Sequence, residues 1–541
     1  MAEVLTSPPE RLPPARRRWL GVGAQVWIPS LLVAAAMLLP IAYLIIRAAG
    51  AGSEGWNLLL SARTARILLN TLLLATAVTA TTVAVALPLA WLTVRTDLPG
   101  ARWWTVLTAL PLVVPSYVGG FVIATAFGPT GMLQQALEWL MGLTRLPAIY
   151  GFPGAWLTLS LFTYPYVLLS IRAGLRGIDP AVEEASRVLG QGAWTTITRV
   201  SLPMLRPWIG AGALLVALYV LSDFGAVSMM QFDSFTTAIY VQYQASFNRS
   251  YAAVLSLVLV VLTAVVLAIE GRSSRARFHR IGSAAARLAR PVRLGEWRIP
   301  AVMFCGSVVA LGVVLPASVV LYWLVAGLRL GQPLVVTLQP ALNSVYASAL
   351  SAGAAVLAGM PLAILAVRRR GALAAVITRL AYTGYALPGI VVALSLVFFA
   401  ARSVPWLYQT MPVLVFAYLV LFLPQAVGTL RSALQQVSPS HEESARVLGR
   451  TPRQTLLSVT VPLVRPGAVA AAALVFLTTM KELPATLLLS PTGFETLATR
   501  IWSAATEGFF TRAAPPALLL LLISSLSMAL LLSQERRGSD A

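Results

Sequence analysis

Val182-Glu183-Glu184-Ala185-Ser186-Arg187-Val188-Leu189-Gly190 is followed by Val200-Ser201-Leu202-Pro203 and Arg206-Pro207. The same pattern returns as Glu442-Glu443-Ser444-Ala445-Arg446-Val447-Leu448-Gly449, followed by Val459-Thr460-Val461-Pro462 and Arg465-Pro466, every position displaced by 259 residues. A charged block kept twice in an oily chain serves more than packing, and it reads as a docking surface presented twice. Asp179-Pro180 and Ser438-Pro439-Ser440 precede the blocks; proline at a helix start and carboxylates in the first turn favour initiation and complement the dipole. Gly190 and Gly449 then permit a sharp redirection, and a second amphipathic segment runs to Pro203 or Pro462. The spacing predicts a short helix–turn–helix lying across one membrane face. Such an element can transmit a push from a soluble partner and has no chemistry of its own.

The surroundings are membrane-like. The chain has 541 residues, 58% hydrophobic and 11% charged, against about 25% charged in soluble domains. Apolar stretches of the roughly 20 residues needed to cross a bilayer fall near 27–49, 67–94, 104–127, 152–171, 208–229, 251–269, 301–327, 343–366, 374–400, 412–430, 467–488 and 515–533. The expected fold is therefore an all-α polytopic membrane protein with about twelve transmembrane helices, prolines interrupting those near 110–127 and 383–400. The formal charge of +21 is not spread as a nucleic-acid surface would require. Arg16, Arg17, Arg18, Arg95, Arg102, Arg172, Arg176, Arg187, Arg199, the linker arginines, Arg368, Arg369, Arg370, Arg536 and Arg537 fall on one side. The opposite connections are poor in basic residues, although Arg63, Arg66, Arg500 and Arg512 lie near helix ends. The positive-inside rule then makes both termini, the linker and both repeated blocks cytoplasmic, in a multi-pass protein of the cell (inner) membrane. A polar, Pro-rich start with a late Arg cluster is unlike a cleavable signal, so the first apolar stretch is expected to stay as a helix. Cys305 is the only cysteine, which excludes an intramolecular disulfide and a Cys-based metal cluster.

The duplication reaches beyond the blocks. Asn70, Pro88 and Arg95 align with Asn343, Pro361 and Arg368 at an offset of 273, and Ala109-Leu110-Pro111 aligns with Ala386-Leu387-Pro388 at 277. Ser222-Asp223-Phe224-Gly225-Ala226 aligns with Lys481-Glu482-Leu483-Pro484-Ala485, and Phe235 with Phe494, at 259. On these offsets the first half holds about 18 extra residues in 128–150, where Met132 to Leu140 reads as a short amphipathic helix. Two parallel six-helix repeats about an axis along the membrane normal would place a pathway between the halves. The Arg-rich linker 271–299 reads either as a segment lying on the anionic leaflet or as a solvated tether.

The block spacing resembles the EAA loop of type I ABC importer permeases, in both copies: Glu184-Ala185-Ser186 to Gly190 and Val200 to Pro203, Glu443-Ser444-Ala445 to Gly449 and Val459 to Pro462. Ser replaces one Ala in each copy, and Val replaces the usual Ile and one Leu. The resemblance implies a type I permease fold with domains over 66–270 and 339–533, flanked by a cytoplasmic tail 1–26, the linker and a tail 534–541. It further implies that the loops seat two copies of an ABC ATPase subunit, with Glu183, Glu184, Ala185, Gly190, Pro203, Glu442, Glu443, Ala445, Gly449 and Pro462 in the coupling sites and Glu184, Gly190, Glu443 and Gly449 foremost. An extracytoplasmic substrate-binding protein would deliver the cargo. The stretch Met480-Lys481-Glu482-Leu483-Pro484 and Pro491-Thr492-Gly493-Phe494-Glu495 is most similar to the ferric-iron branch of fused permeases. Thiamine, polyamine, sulfate or phosphonate import by the same machinery is the alternative, and a secondary transporter, which needs no duplicated docking loop, the more distant one.

Lys481 is the only lysine and follows Met480, so no Walker A Gly-Lys-Ser/Thr exists. The chain is expected to bind no cofactor itself and to be no enzyme; ATP and Mg²⁺ would be used by the partner ATPase. His441-Glu442-Glu443-Ser444-Ala445 lacks the second His of a zinc-protease helix. Asp223, Lys481 and Glu482 occupy equivalent places at the ends of two spans, and ionisable groups at membrane depth often mark a pathway. They read as pathway or gate residues, or alternatively as an interfacial salt bridge between halves or snorkelled helix ends. Tyr240, Tyr243 and Glu495 follow nearby as hard oxygen donors suited to ferric iron. Asn70 and Asn343 read as interhelical hydrogen-bond donors.

Overall fold

The structure, a computed structural model, describes residues 24–129, 131–142, 147–245, 250–273, 291–332, 338–369 and 371–539. The tail as far as residue 23 and the linker over 274–290 lie outside the described residues. Nine helices among those described are long and apolar enough to cross a membrane: Gln25–Ala49, Ala62–Arg95, Phe152–Gly177, Ile197–Ser222, Ser250–Ile269, Gly295–Arg329, Leu338–Arg368, Met411–Gln436 and Pro452–Met480. Each corresponds to one expected span. The other three differ. Ala101–Val113 and Ser116–Gln135 form a broken pair bent by 95°. The stretch 374–400 is two short helices, Ala372–Ala381 and Gly389–Ser403. The last helix, Phe510–Ser539, takes in most of the expected tail, with its apolar part at Phe510–Leu526.

The breaks have one cause. Pro115 (φ −64°, ψ 149°) and Pro388 (φ −58°, ψ 145°) are extended and sit at the N-caps of Ser116–Phe127 and Gly389–Ser403. Neither can donate a backbone hydrogen bond, and each biases its predecessor away from helix. Pro388 is thus the counterpart of Pro115 rather than of Pro111, and the offset stays at 273 through this region. Falling from 273 to 259, it leaves the first half with 14 extra residues instead of 18, and helix Met132–Met141 lies within them. A second register is also corrected. Phe235 N–H donates to Thr71 Oγ1 (3.1 Å) and Leu497 N–H to Ser344 Oγ (2.8 Å), so Leu497, not Phe494, answers to Phe235.

The halves are interlocked by their leading helices. Val26, Ala34 and Met37 of the first helix belong to the core of the second half with Ile377, Val392 and Leu396, and the Ser395 hydroxyl donates to the Pro40 carbonyl. Conversely, Cys305, Val319 and Val320 of Gly295–Arg329 belong to the first half's core with Val118, Phe121 and Leu159. After the undescribed linker the chain is pinned beside Arg95: Val292 N–H donates to Arg95 O (2.8 Å) and Asp97 N–H to Val292 O (3.1 Å).

Candidate functional site

The repeated blocks fold as anticipated. Helices Pro180–Val188 and Pro439–Val447 are capped by Asp179, whose Oδ1 accepts from Ala181 N–H (2.9 Å), and by Ser438, whose Oγ accepts from Ser440 N–H (3.3 Å). Gly190 (φ +80°) and Gly449 (φ +83°) end them in the left-handed region. Gln191 N–H reaches back to Ser186 O (3.2 Å) and Arg450 N–H to Ala445 O (3.1 Å), closing the last turn of each. The chain then re-enters a span through a π-helical turn, Ile197–Ser201 in one half and Leu456–Thr460 in the other. Pro203 and Pro462 follow in the first turn of the α-helical continuation, where proline is tolerated.

The adjacent glutamates in each block do opposite things. Glu183 and Glu442 are 6% and 9% exposed and face the membrane body. Arg368 Nη2 donates to Glu442 Oε1 at 2.8 Å, and Thr460 Oγ1 donates to the same oxygen at 3.1 Å. In the first half Arg95 lies 3.6 Å from Glu183, and Ser201 Oγ donates to Glu183 Oε1 at 3.0 Å. The arginines are held in turn by carbonyls at the end of the preceding span: Leu175 and Ile178 for Arg95 (3.0 and 3.3 Å), Val437 for Arg368 (3.3 Å). Ser201 and Thr460, the hydroxyl residues that bond these carboxylates, are the last residues of the two π turns. Glu184 and Glu443 are exposed, as is Ala185, whereas Ala445 is buried.

Four residues that the sequence reading left unassigned stand out beside the glycines. Val188 and Leu189 are 86% and 80% exposed, and Val447 and Leu448 are 87% and 82% exposed. The signal was present, since they are apolar residues at the end of an otherwise polar helix.

A second feature lies between the halves. A cavity of about 340 Å³ is bordered by Pro115, Ser116, Tyr219 and Asp223 of the first half and by Pro388, Gln425, Lys481 and Glu482 of the second. Asp223 directly follows the span Ile197–Ser222 and Lys481 follows Pro452–Met480. Asp223 Oδ1 accepts from Ala226 N–H (2.9 Å), and Glu482 accepts from Ala485 N–H (3.0 Å) and Thr486 N–H (3.1 Å). Each carboxylate thus caps a short helix, Gly225–Met229 or Pro484–Leu489. Lys481 Nζ donates to Leu112 O (3.0 Å), a hydrogen bond that crosses from one half to the other. Among the described residues this takes the place of an ion pair between halves.

Residues 83–278 and 355–538 match the family described as binding-protein-dependent transport system inner membrane component. The chain belongs to this family. Both copies of the family's domain are fused in one permease. Over 514 residues it is 35% identical to the Fe(3+)-transport system permease protein of Haemophilus influenzae, covering 93% of this chain and 97% of that one. The molybdenum transport system permease protein of Escherichia coli is 31% identical over 36% of this chain and 86% of its own. The probable sulfate transport system permease protein of Marchantia polymorpha is 27% identical over 36% and 66%.

Other sequence expectations for the permease are corrected. Asn70 Nδ2 donates to Asp233 O (3.2 Å) and Asn343 Nδ2 to Glu495 O (2.9 Å), but both carbonyls lie in the loops just before helices Phe235–Ala245 and Leu497–Thr506, so these bonds tie helix to loop and not helix to helix as expected. The hard-donor set does not assemble at the cavity. Tyr240 packs on Phe224 and Trp502, Tyr243 packs on Phe398, and Glu495 pairs with Arg500 at 3.3 Å. No three His, Cys, Asp or Glu side chains among the described residues are grouped to hold a metal ion.

Proposed function

We propose that this permease carries ferric iron across the inner membrane, driven by two copies of a separate ABC ATPase subunit. The observation that carries the cargo assignment is extent. The Fe(3+) relative aligns over 93% of the chain and both repeats, whereas the molybdenum and sulfate relatives each cover about a third. In this reading both termini are cytoplasmic, a substrate-binding protein delivers cargo to the outer face, and ATP and Mg²⁺ reside in the ATPase.

The division of labour follows from the two features above. Val188, Leu189, Val447 and Leu448, with Glu184 and Glu443, form the surface that seats in the ATPase. Glu183 and Glu442, tied to Arg95 and Arg368, transmit its movement to helices Ala62–Arg95 and Leu338–Arg368. Asp223, Lys481 and Glu482 border the route between the halves. The test is uptake of radiolabelled ferric iron in cells with and without the gene, with molybdate, sulfate, thiamine and putrescine as competitors. Gene-dependent uptake that resists all four is expected. Uptake indifferent to the gene, in cells lacking another iron importer, sinks the cargo assignment.

A further inference from the structure

The two halves treat one arginine differently. Arg172 in the first half is buried and donates to Thr93 Oγ1 (3.1 Å), Thr105 O (2.8 Å) and Thr108 Oγ1 (2.8 Å). Its counterpart at the offset of 259 is Arg431. At the offset of 273, Thr93 and Thr108 become Ala366 and Ala381, so both hydroxyl partners are gone. The register follows Pro115 and Pro388, and Thr105 and Thr378 fit it, each bonding its own i−4 carbonyl, Ala101 O (2.7 Å) and Ala374 O (2.8 Å).

Arg431 is exposed, and the second half opens a cavity of about 570 Å³ where the first half is filled. Arg369, Arg379 and Arg431 line it with Ala366, Thr378 and Tyr382, and no Asp or Glu borders it. Arg369 and Arg379 replace Thr96 and Val106 of the first half. Among the described residues none of the three guanidinium groups makes a hydrogen bond or ion pair, and Arg369 Nε is buried without a partner. Three like charges around unfilled space repel one another, and a guanidinium fork matches phosphate geometry.

The position narrows the ligand. Arg369 adjoins Arg368, which holds Glu442, so the cavity opens on the face that carries the docking helices. Leu373 and Val376 on helix Ala372–Ala381 are exposed and apolar, giving that helix a lipid-facing side. We propose that Arg369, Arg379 and Arg431 form a binding site for a phosphate-bearing anion, with the headgroup of an anionic lipid as the source this position favours. Basic pockets between helices on the cytoplasmic side suit such headgroups. A headgroup bound there would sit one residue from the Arg368–Glu442 pair.

The test uses the full chain, stripped of lipid in neutral detergent and titrated with phosphatidylglycerol, phosphatidylcholine or inorganic pyrophosphate. Bound lipid is counted by native mass spectrometry and pyrophosphate binding by calorimetry. Phosphatidylglycerol is expected to bind in preference to phosphatidylcholine, and R379A/R431A to weaken it about tenfold by removing two charge-assisted contacts. The charge-matched pair R102A/R298A, on the same face outside the cavity, is expected to change it less than about twofold. Neither Arg379 nor Arg431 bonds within the chain, so a matched thermal midpoint separates lost binding from lost fold. Pyrophosphate binding that depends on Arg379 and Arg431, without a lipid preference, would support the anion site and assign it to a soluble source. Equal losses in the two double variants, or no binding of either anion, would overturn it.

Discussion

Arg368 and Glu442 meet at 2.8 Å on the line where helix Pro439–Val447 joins the membrane body, and Arg95 and Glu183 repeat the relationship at 3.6 Å in the other half. All four side chains are nearly buried. Removing one partner of a buried pair leaves an uncompensated charge, at a cost of about 3 kcal/mol. Arg368→Met should therefore loosen the second docking helix and lower cargo moved per ATP more than it lowers ATPase association. The double variant R368M/E442Q, which removes both charges, should recover part of the loss. Coupling ratios and thermal midpoints of the three proteins decide it. A double variant worse than either single change would mean the pair does not act as a unit.

Leu189→Asp and Leu448→Asp should leave the fold within about 0.5 kcal/mol, because both side chains are exposed. ATPase association should fall at least tenfold, about 1.4 kcal/mol, since an apolar anchor becomes a charge at the interface. Co-purification of ATPase with each variant is the measurement, and undiminished association would remove these residues from the docking surface.

At Gly190 and Gly449 a Cβ would meet no atom within 4 Å. The penalty for Ala is therefore conformational, about 1 kcal/mol for the left-handed backbone, and Asn should be milder than Ala. If Ala and Asn proved equally damaging to transport, ATPase contact rather than backbone geometry would set the requirement at these positions.

Lys481→Met should strand the Leu112 carbonyl that it bonds across the halves, costing about 1–3 kcal/mol and lowering the thermal midpoint. Glu482→Gln keeps a side-chain oxygen to cap Pro484–Leu489 and should spare the fold while reducing iron uptake. Uptake by Glu482→Gln at the parent rate would confine this carboxylate to a capping role.

Much of the repeated helix–turn–helix was legible because its determinants are local. Capping residues, a glycine needing positive φ and prolines in the first turn act within a few positions of themselves. The pairing of Asn70 with Asn343 and of Arg95 with Arg368 was equally legible as an offset. Which glutamate faces inward was not. That depends on which side of helices Pro180–Val188 and Pro439–Val447 meets Arg95 and Arg368, residues far away in the sequence. The match of Pro111 with Pro388 misled for a similar reason: three-residue identity outweighed geometry until the extended φ and ψ of Pro115 and Pro388 fixed the register.

By itself the sequence determined an all-helical, duplicated membrane chain and where its two repeated blocks lie, because apolar runs and repeated short-range motifs are one-dimensional properties. Tertiary structure decided that each half's leading helix packs into the other half, that Lys481 reaches Leu112 across 369 positions, and that Arg172 is buried where Arg431 is free. These outcomes turn on whether an unfilled volume and a bonding partner coincide in space, and contacts between distant residues are settled only when the helices pack.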